Sequence, residues 1–328
     1  MKTVLVTGAN GFIGRRLSMY LLERNIHVKG TCRTLTDLPQ GIEPIQIADL
    51  CGFKDWLPLL KGVDTIFHLA AQTHGVKAGK LEEAHYTPGK LQTINVDTTQ
   101  VLAQAAAQAD VKRFVYISSI KVNGESTSGL PFSPTDLPRP EDNYGASKWQ
   151  AEEVLKRISQ AGGLEFVIVR PPLVYGPGVK GNFLSLLRLC DSPWPLPLAS
   201  IQNQRSLIYL DNLVSLLHIC GIHPDASGQT FLARDSNVST LILVRTIRRY
   251  LRRPSRIFSC PLAILKLAAT LCGRKEAFNR MAGSLQADDQ LSRHILDWTP
   301  PFTFEQGIKE TVAWYKWKEA SQVESFET

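Results

Sequence analysis

Six cysteines, at positions 32, 51, 190, 220, 260 and 272, are spread through 328 residues with no CxxC pair and no metal-ligand spacing. That scatter excludes a disulfide scaffold and a cysteine metal centre, and it predicts reduced thiols in a cytoplasmic protein. The apolar segment 257–272 is broken by Pro261 and Lys266. It is too short to span a bilayer; a buried helix and an interfacial one both fit it. A signal peptide is not expected, because glycines at 8, 11 and 14 interrupt the N-terminal apolar run. Repeats, low-complexity tracts and nucleic-acid motifs are also missing. The dense basic segment (Arg245, Arg248, Arg249, Arg252, Arg253, Arg256) has only Tyr250 among its cations, so no nucleic-acid partner is expected. Lys and Arg number 37 against 30 Asp and Glu, a formal net charge of +7. The segment reads first as a solvated helix face ending at Pro254, with an anionic substrate or an anionic membrane surface as the alternatives.

What the chain does contain begins at its N-terminus. A short apolar strand, Thr3–Val6, runs into Thr7-Gly8-Ala9-Asn10-Gly11-Phe12-Ile13-Gly14 and then a helix whose apolar face is Leu17, Tyr20 and Leu21. Gly8 allows a sharp turn, Gly11 lets the backbone approach a diphosphate, and Gly14 lets the helix lie close. The helix would aim its free N–H groups and positive dipole end at that diphosphate.

Apolar strand-like runs recur at 3–6, about 26–31, 44–47, 64–69, 113–118 and 165–170, separated by helical stretches such as 95–109 and 144–159. This alternation predicts an α/β fold, a doubly wound parallel sheet of Rossmann type. Beyond Pro171-Pro172 the pattern loosens, with a strand expected at Ser206–Leu210 and a helix at Asp211–Cys220. Residues 1–171 are therefore read as the dinucleotide-binding domain. Residues 172–328 are read mainly as a smaller substrate-binding lobe, with segments returning to the first domain.

Tyr144 and Lys148 stand four residues apart on a segment that becomes helical, so both share one face. A phenol is a poor acid–base group at neutral pH unless something favours its phenolate, and an ammonium one turn away does so. The strand Phe114–Ile117 ends in Ser118-Ser119. It opens on the sheet edge where the glycine turn also opens, so a serine hydroxyl there can hold a substrate oxygen. Together these groups make a coherent carbonyl–alcohol redox site. His68, ending an apolar strand, reads as scaffold rather than base. His74 and His85 lie in a loop that reads as substrate-facing, with no role assigned.

With these residues in hand, the chain resembles an extended short-chain dehydrogenase/reductase of the nucleotide-sugar epimerase/dehydratase branch. The resemblance rests on Thr7–Gly14, Asp49-Leu50, His68-Leu69-Ala70-Ala71, Asn95-Val96, Ser118-Ser119, Tyr144-x-x-x-Lys148, Arg170-Pro171-Pro172-x-x-Tyr175-Gly176-Pro177 and Asp297-Trp298-Thr299-Pro300. It implies Ser119 and Tyr144 as catalytic residues, with Lys148 modulating Tyr144 and holding the nicotinamide ribose. Gly8, Asn10, Gly11, Phe12, Ile13 and Gly14 would cradle the dinucleotide, Asp49 and Leu50 would flank the adenine, and Ala70 and Ala71 would line the cofactor. Asn95 would help hold the site, and Asn182 and Arg205 match positions that hold a substrate diphosphate. The resemblance also implies a homodimer paired through helices near 95–109 and 144–159, the first rich in alanine (Ala103, Ala105, Ala106, Ala107, Ala109).

Two departures shape the expected reaction. The second strand does not end in an acid: Arg33 stands there, and Asp37 follows only later. An arginine welcomes a 2′-phosphate, with Arg15 in reach of the same place, so NADP(H) is expected; NAD(H) is the alternative if Arg33 only stacks on adenine. The Asp-Glu pair of the family's 4,6-dehydratases is replaced by Ile120 and Lys121, which disfavours dehydration. Ser118–Glu125 resembles bacterial reductases of UDP-4-keto-6-deoxy-N-acetylhexosamines in surface-polysaccharide pathways. Reduction of that C4 ketone by NADPH is the leading expectation, and a UDP-hexose or UDP-N-acetylhexosamine 4-epimerase with bound NAD is the alternative.

Overall fold

Successive residues of the central strands are apolar on both faces, and the computed structural model shows two layers that use them. It describes residues 1–35, 38–72, 76–77, 80–81 and 88–324; Asp37, His74 and His85 lie outside these. The first half of the chain runs β1 (Thr3–Thr7), α1 (Phe12–Leu22), β2 (His27–Cys32), β3 (Glu43–Gln46), β4 (Thr65–His68), the short pair β5 (Val76–Lys77) and β6 (Lys80–Leu81), and α2 (Pro88–Leu91). A π-helical stretch, Gln92–Asp97, leads into α3 (Thr98–Gln108), β7 (Arg113–Ile117), α4 (Asn143–Gly162) and β8 (Glu165–Arg170). The rest comprises β9 (Leu173–Tyr175), α5 (Gly181–Asp191), β10 (Arg205–Tyr209), α6 (Leu210–Ile222), β11 (Thr230–Leu232), β12 (Ser236–Val238), α7 (Thr240–Leu251), α8 (Leu262–Leu271), α9 (Lys275–Ala282), α10 (Gln290–Leu296) and α11 (Phe304–Glu324).

Seven strands form one parallel sheet in the order β11-β8-β7-β4-β1-β2-β3. Val4, Val6, Val115, Ile117, Val167 and Val169 face a layer built on α1 and α6. Leu5, Phe114, Tyr116 and Ile168 face the opposite layer, built on α3 and α4. This period-two split of wholly apolar strands is what a sheet covered on both faces requires. The doubly wound α/β fold expected from the sequence is therefore present. Its C-terminal strand edge carries the glycine turn after β1, Ala70-Ala71 after β4 and Ser118-Ser119 after β7.

A second core gathers Tyr175, Phe183, Leu187, Tyr209, Val244, Ile247, Ile308 and Val312 around the three-stranded sheet β12-β10-β9. Phe12, at the start of α1, packs against both cores. The basic segment ends up divided. Arg248 is buried, and its guanidinium donates to the carbonyls of Cys190, Ser192, Trp194, Pro254 and Arg256, tying α7 to the strap 192–196. Arg249 pairs with Glu305 at 2.8 Å and Arg253 with Asp191 at 2.8 Å. A single solvated face was the expectation; one of its arginines instead satisfies carbonyls left open by irregular backbone. Next to it, α8 is the surprise of the fold: none of its ten residues is buried.

Candidate active site

The turn after β1 is shaped by backbone crowding. Gly8 sits at φ +68°, a left-handed conformation, and a Cβ there would lie 3.1 Å from the backbone of Ala70. A Cβ on Gly14 would collide with the carbonyl oxygen of Gly8, so α1 approaches the turn itself rather than only the sheet. Ala9 N–H donates to Thr31 at 3.1 Å and Gly8 N–H to the Thr31 hydroxyl at 3.0 Å, pinning the turn to β2. Gly11 is the N-cap of α1 and offers no side-chain cap, leaving the helix's first N–H groups without an internal side-chain partner. Asn10, Phe12 and Ile13 are partly exposed around this opening.

A polar chain supports the loop that follows β4. The Thr7 hydroxyl accepts from the N–H groups of Leu69 and Ala70, both at 3.1 Å, and lies 2.7 Å from His68 Nδ1. Its own proton therefore goes to Nδ1, so Nε2 carries the ring proton and donates to Thr99 Oγ1 at 3.1 Å. Thr99 in turn donates to the Asn95 carbonyl at 2.7 Å. Burial drives the His68 pKa down to about 3, with the charge of Lys148 adding to the effect. His68 is thus a neutral connector between the glycine turn and α3. Asn95 continues the connection: its side chain pairs with both backbone groups of Gln72 and donates to Ser147 Oγ at 2.9 Å.

At the end of β7 the two serines divide. Ser118 is buried and donates to Glu152 Oε1 at 2.5 Å. Ser119 is partly exposed, and its hydroxyl accepts the Lys121 N–H at 3.2 Å while capping the turn Ile120–Val122. Lys121 reaches Glu125 at 2.6 Å and Asp142 at 2.5 Å. Burial opposes its charge, but hydrogen bonds to the two carboxylates raise its pKa overall. Asp142 is also the N-cap of α4, accepting from Gly145 N–H at 2.6 Å. Lys121 thereby fixes the start of the helix that carries Tyr144 relative to the end of β7.

Tyr144 and Lys148 follow in the first turns of α4. Lys148 is buried with its ammonium 4.1 Å from the centre of the Tyr116 ring, a cation–π contact, and Tyr116 stacks on His68. Burial pushes Lys148 down to about 7, against the attraction of Glu152. Burial also pushes Tyr144 up to about 12, helped by the charge of Asp142. The lowered phenol pKa expected from Lys148 is absent in this arrangement, because desolvation and the Asp142 charge both disfavour the phenolate. Glu152, fully buried one turn further along α4, receives Arg170 at 2.9 and 2.5 Å, and Arg170 also donates to Asn123 at 3.0 Å. Glu152 and Asn123 were not singled out from the sequence, and Lys121 was noted only as a departure from the dehydratases' Asp-Glu pair. The i,i+4 spacing of Lys148 and Glu152 was the available signal.

The remaining positions lie farther out along the same edge. Asp49 is exposed and accepts the Cys51 N–H at 2.8 Å, while the Leu50 carbonyl accepts Thr98 Oγ1 at 3.1 Å. Ala70 and Ala71 are half-buried beside the glycine turn. Asn182 is exposed in the first turn of α5. Arg205 opens β10, and its Nη1 donates to the carbonyls of Arg280 and Gly283. It braces α9 whatever else it binds. Arg33 is exposed just past β2, where its carbonyl accepts Gln46 Nε2 at 3.2 Å.

The chain matches the NAD dependent epimerase/dehydratase family over residues 4–233. It is 39% identical over 315 residues to the UDP-glucose 4-epimerase of Vibrio cholerae, covering 94% of each chain. It is 25% identical over 326 residues to the N-acetyl-alpha-D-glucosaminyl-diphospho-ditrans,octacis-undecaprenol 4-epimerase of Escherichia coli O157:H7, covering 94% of each. Among solved structures it superposes on MoeE5 in complex with UDP-glucose and NAD, with TM-score 0.76 and 26% identity over 97% of this chain and 99% of that one.

That complex overturns the NADP(H) preference drawn from Arg33. A guanidinium just past β2 can lie on the face of an adenine without any 2′-phosphate to pair with, so an arginine here does not select NADP. The glycine cradle, the Ser119 and Tyr144–Lys148 positions on one strand edge, and the family match over most of the chain agree: this protein belongs to the NAD dependent epimerase/dehydratase family.

Proposed function

We propose that this chain is a nucleotide-sugar 4-epimerase that keeps NAD bound and interconverts C4 epimers of a UDP-hexose or UDP-N-acetylhexosamine. The observation that carries the reading is its 39% identity, along 94% of each chain, to a UDP-glucose 4-epimerase. The complex of MoeE5 with UDP-glucose and NAD supports the same ligand pair. The relatives that support it are epimerases, so reduction of a UDP-4-keto-6-deoxy-N-acetylhexosamine, favoured by the Ser118–Glu125 stretch, gives way to its alternative.

The residues present suit a dinucleotide. Gly8, Gly11 and Gly14 form a cradle that a Cβ at Gly8 or Gly14 would disrupt, at the uncapped start of α1. In this reading that cradle, with Asn10, Phe12 and Ile13, holds the diphosphate; Asp49 and Leu50 flank the adenine, and Arg33 lies over it. Ala70 and Ala71 line the nicotinamide half, and Lys148 holds its ribose. NAD, when bound, supplies the acceptor and donor of hydride at the sugar's C4.

The chain's own groups handle the proton. Tyr144 takes it from the C4 hydroxyl as C4 becomes a ketone and returns it after the sugar has turned over. Ser119 holds the reacting oxygen. Lys148 titrates near neutrality, and in its charged form it favours the phenolate that Tyr144 needs in order to act as a base. Asn182 and Arg205 grip the substrate diphosphate. Residues 1–171 thus serve the dinucleotide and residues 172–328 mainly the sugar nucleotide. A homodimer would pair α3 and α4, whose outer faces leave an open groove of about 360 Å³ lined by Val96, Gln100, Trp149 and Glu153. Light scattering at twice the chain mass supports that pairing, and a monomer mass rejects it.

The test of the function uses purified protein with a UDP-hexose and no added dinucleotide. Interconversion of the C4 epimers, with NAD released on denaturation, is expected. Turnover that appears only with added NADPH and consumes it rejects the reading in favour of a reductase.

A further inference from the structure

The helix α8 reverses the ordinary rule for a surface helix. Leu265 and Ala269 are its partly covered positions, and they share one side. Ile264, Leu267 and Leu271 recur at i, i+3 and i+7 on the opposite side, with exposures of 57%, 61% and 80%. Two aromatic side chains extend the apolar surface. Phe258 is 49% exposed just before the helix, and Trp194 is 73% exposed on the strap 192–196, which is hydrogen-bonded to residues 256–258.

The charge in this stretch is predominantly positive. Between Arg256 and Ala287 the only carboxylate is Glu276, against Arg256, Lys266, Arg274, Lys275 and Arg280. Glu276 lies 3.8 Å from Arg280. Arg256, Lys266, Arg274 and Lys275 are all exposed, and none enters an ion pair among the described residues. In the preceding basic segment Arg248 is taken up by carbonyls and Arg249 and Arg253 by carboxylates, while Arg245 and Arg252 are exposed and enter no ion pair among the described residues.

Apolar side chains on one side of a short helix, Trp and Phe at its margin and unpaired Lys and Arg around it are the chemistry of a helix lying in a lipid headgroup layer. No helix among the described residues is long and apolar enough to cross a membrane. Ten residues of α8, about 15 Å long, would instead lie in the plane of the surface. A second copy of the chain fits the face poorly, because a symmetric contact would set the same cations against one another.

We propose that α8, with Phe258, Trp194 and the flanking cations, is a peripheral docking surface for an anionic bilayer, with Ile264, Leu267 and Leu271 entering the headgroup layer. The surface is separate from the residues assigned to catalysis, so its test does not depend on the reaction. The full-length protein is sedimented with vesicles of phosphatidylcholine and with vesicles of an equal mixture of phosphatidylcholine and phosphatidylglycerol.

The wild type should bind the anionic vesicles at least about tenfold more tightly, and added salt should weaken that binding. The variant Leu267→Asp/Leu271→Asp should lose about tenfold or more at unchanged unfolding midpoint. The variant Lys266→Ala/Arg274→Ala/Lys275→Ala should lose the anionic preference, since each cation near such a surface is worth roughly fivefold in binding. Wild type that ignores both vesicles, or binds them equally, overturns the proposal. So does Leu267→Asp/Leu271→Asp binding like wild type. Concentration-dependent self-association in ultracentrifugation, abolished by the same pair of substitutions and without vesicle binding, assigns the face to a second copy and also overturns it.

Discussion

Two helices of this chain place polar and apolar residues in opposite ways. In α4, Lys148 and Glu152 are buried, and their surroundings answer for them: Tyr116 lies under the ammonium, while Arg170 and Ser118 bind the carboxylate. In α8, Ile264, Leu267 and Leu271 face outward, and none of the described residues buries them. Charge is tolerated inside only when fixed partners replace water, and apolar surface persists outside where another phase can take it up. The first helix carries the proposed catalytic pair, and the second the proposed docking face.

The sharpest break in this comparison should come from the phenol. Tyr144→Phe removes one oxygen from a partly buried side chain, so the fold should survive with bound dinucleotide retained. Turnover should fall by about 10²- to 10⁴-fold, as measured by steady-state kinetics. A variant within a few-fold of wild type would remove Tyr144 from the proton step.

Glu152→Ala comes next, because it leaves the buried guanidinium of Arg170 without its carboxylate. A loss of about 3–5 kcal/mol in denaturant unfolding is expected for one partner of a buried pair. Loss of less than about 1 kcal/mol would mean that water or movement already satisfies Arg170.

A pH effect follows from Lys148. Its folded pKa of about 7 lies below the ordinary lysine value, so between the two the unfolded chain binds more protons than the folded one. Stability from this group therefore rises as pH increases above about 7 and is lost as pH falls toward it. Wild type should gain on Lys148→Met between pH 7 and 10, by up to about 1.4 kcal/mol per pH unit. Parallel profiles for the two proteins would show that Lys148 keeps an ordinary pKa. The smallest effect belongs to α8: Leu271→Asp should change stability by less than about 0.5 kcal/mol. A loss comparable to that of Glu152→Ala would mean that Leu271 is packed in solution, and the contrast between the helices would fail.

Much of the α4 side could be read in advance. The parallel sheet followed from apolar runs at regular intervals, and its strand ends placed the glycine turn, Ala70-Ala71 and Ser119 on one edge. The bracing of that edge was less visible, because Lys121 with Asp142 and Arg170 with Glu152 pair residues 21 and 18 apart across different elements. Sequence periodicity reports one element's face and carries no record of which distant group will meet it. Arg33 misled for a related reason: a cation past β2 suits a phosphate and an adenine face equally, and sequence position does not distinguish them. The segment 257–272 had the composition of a buried helix or an interfacial one. The structure sets the buried reading aside, since no residue of α8 is buried.

The most direct measurement of the central claim is the ratio of sugar nucleotide converted to dinucleotide consumed by the purified protein. An epimerase that holds its NAD predicts many turnovers of a UDP-hexose with no net oxidation or reduction of added cofactor. One NADPH or NADH consumed per sugar converted, with no epimer formed in its absence, would contradict it.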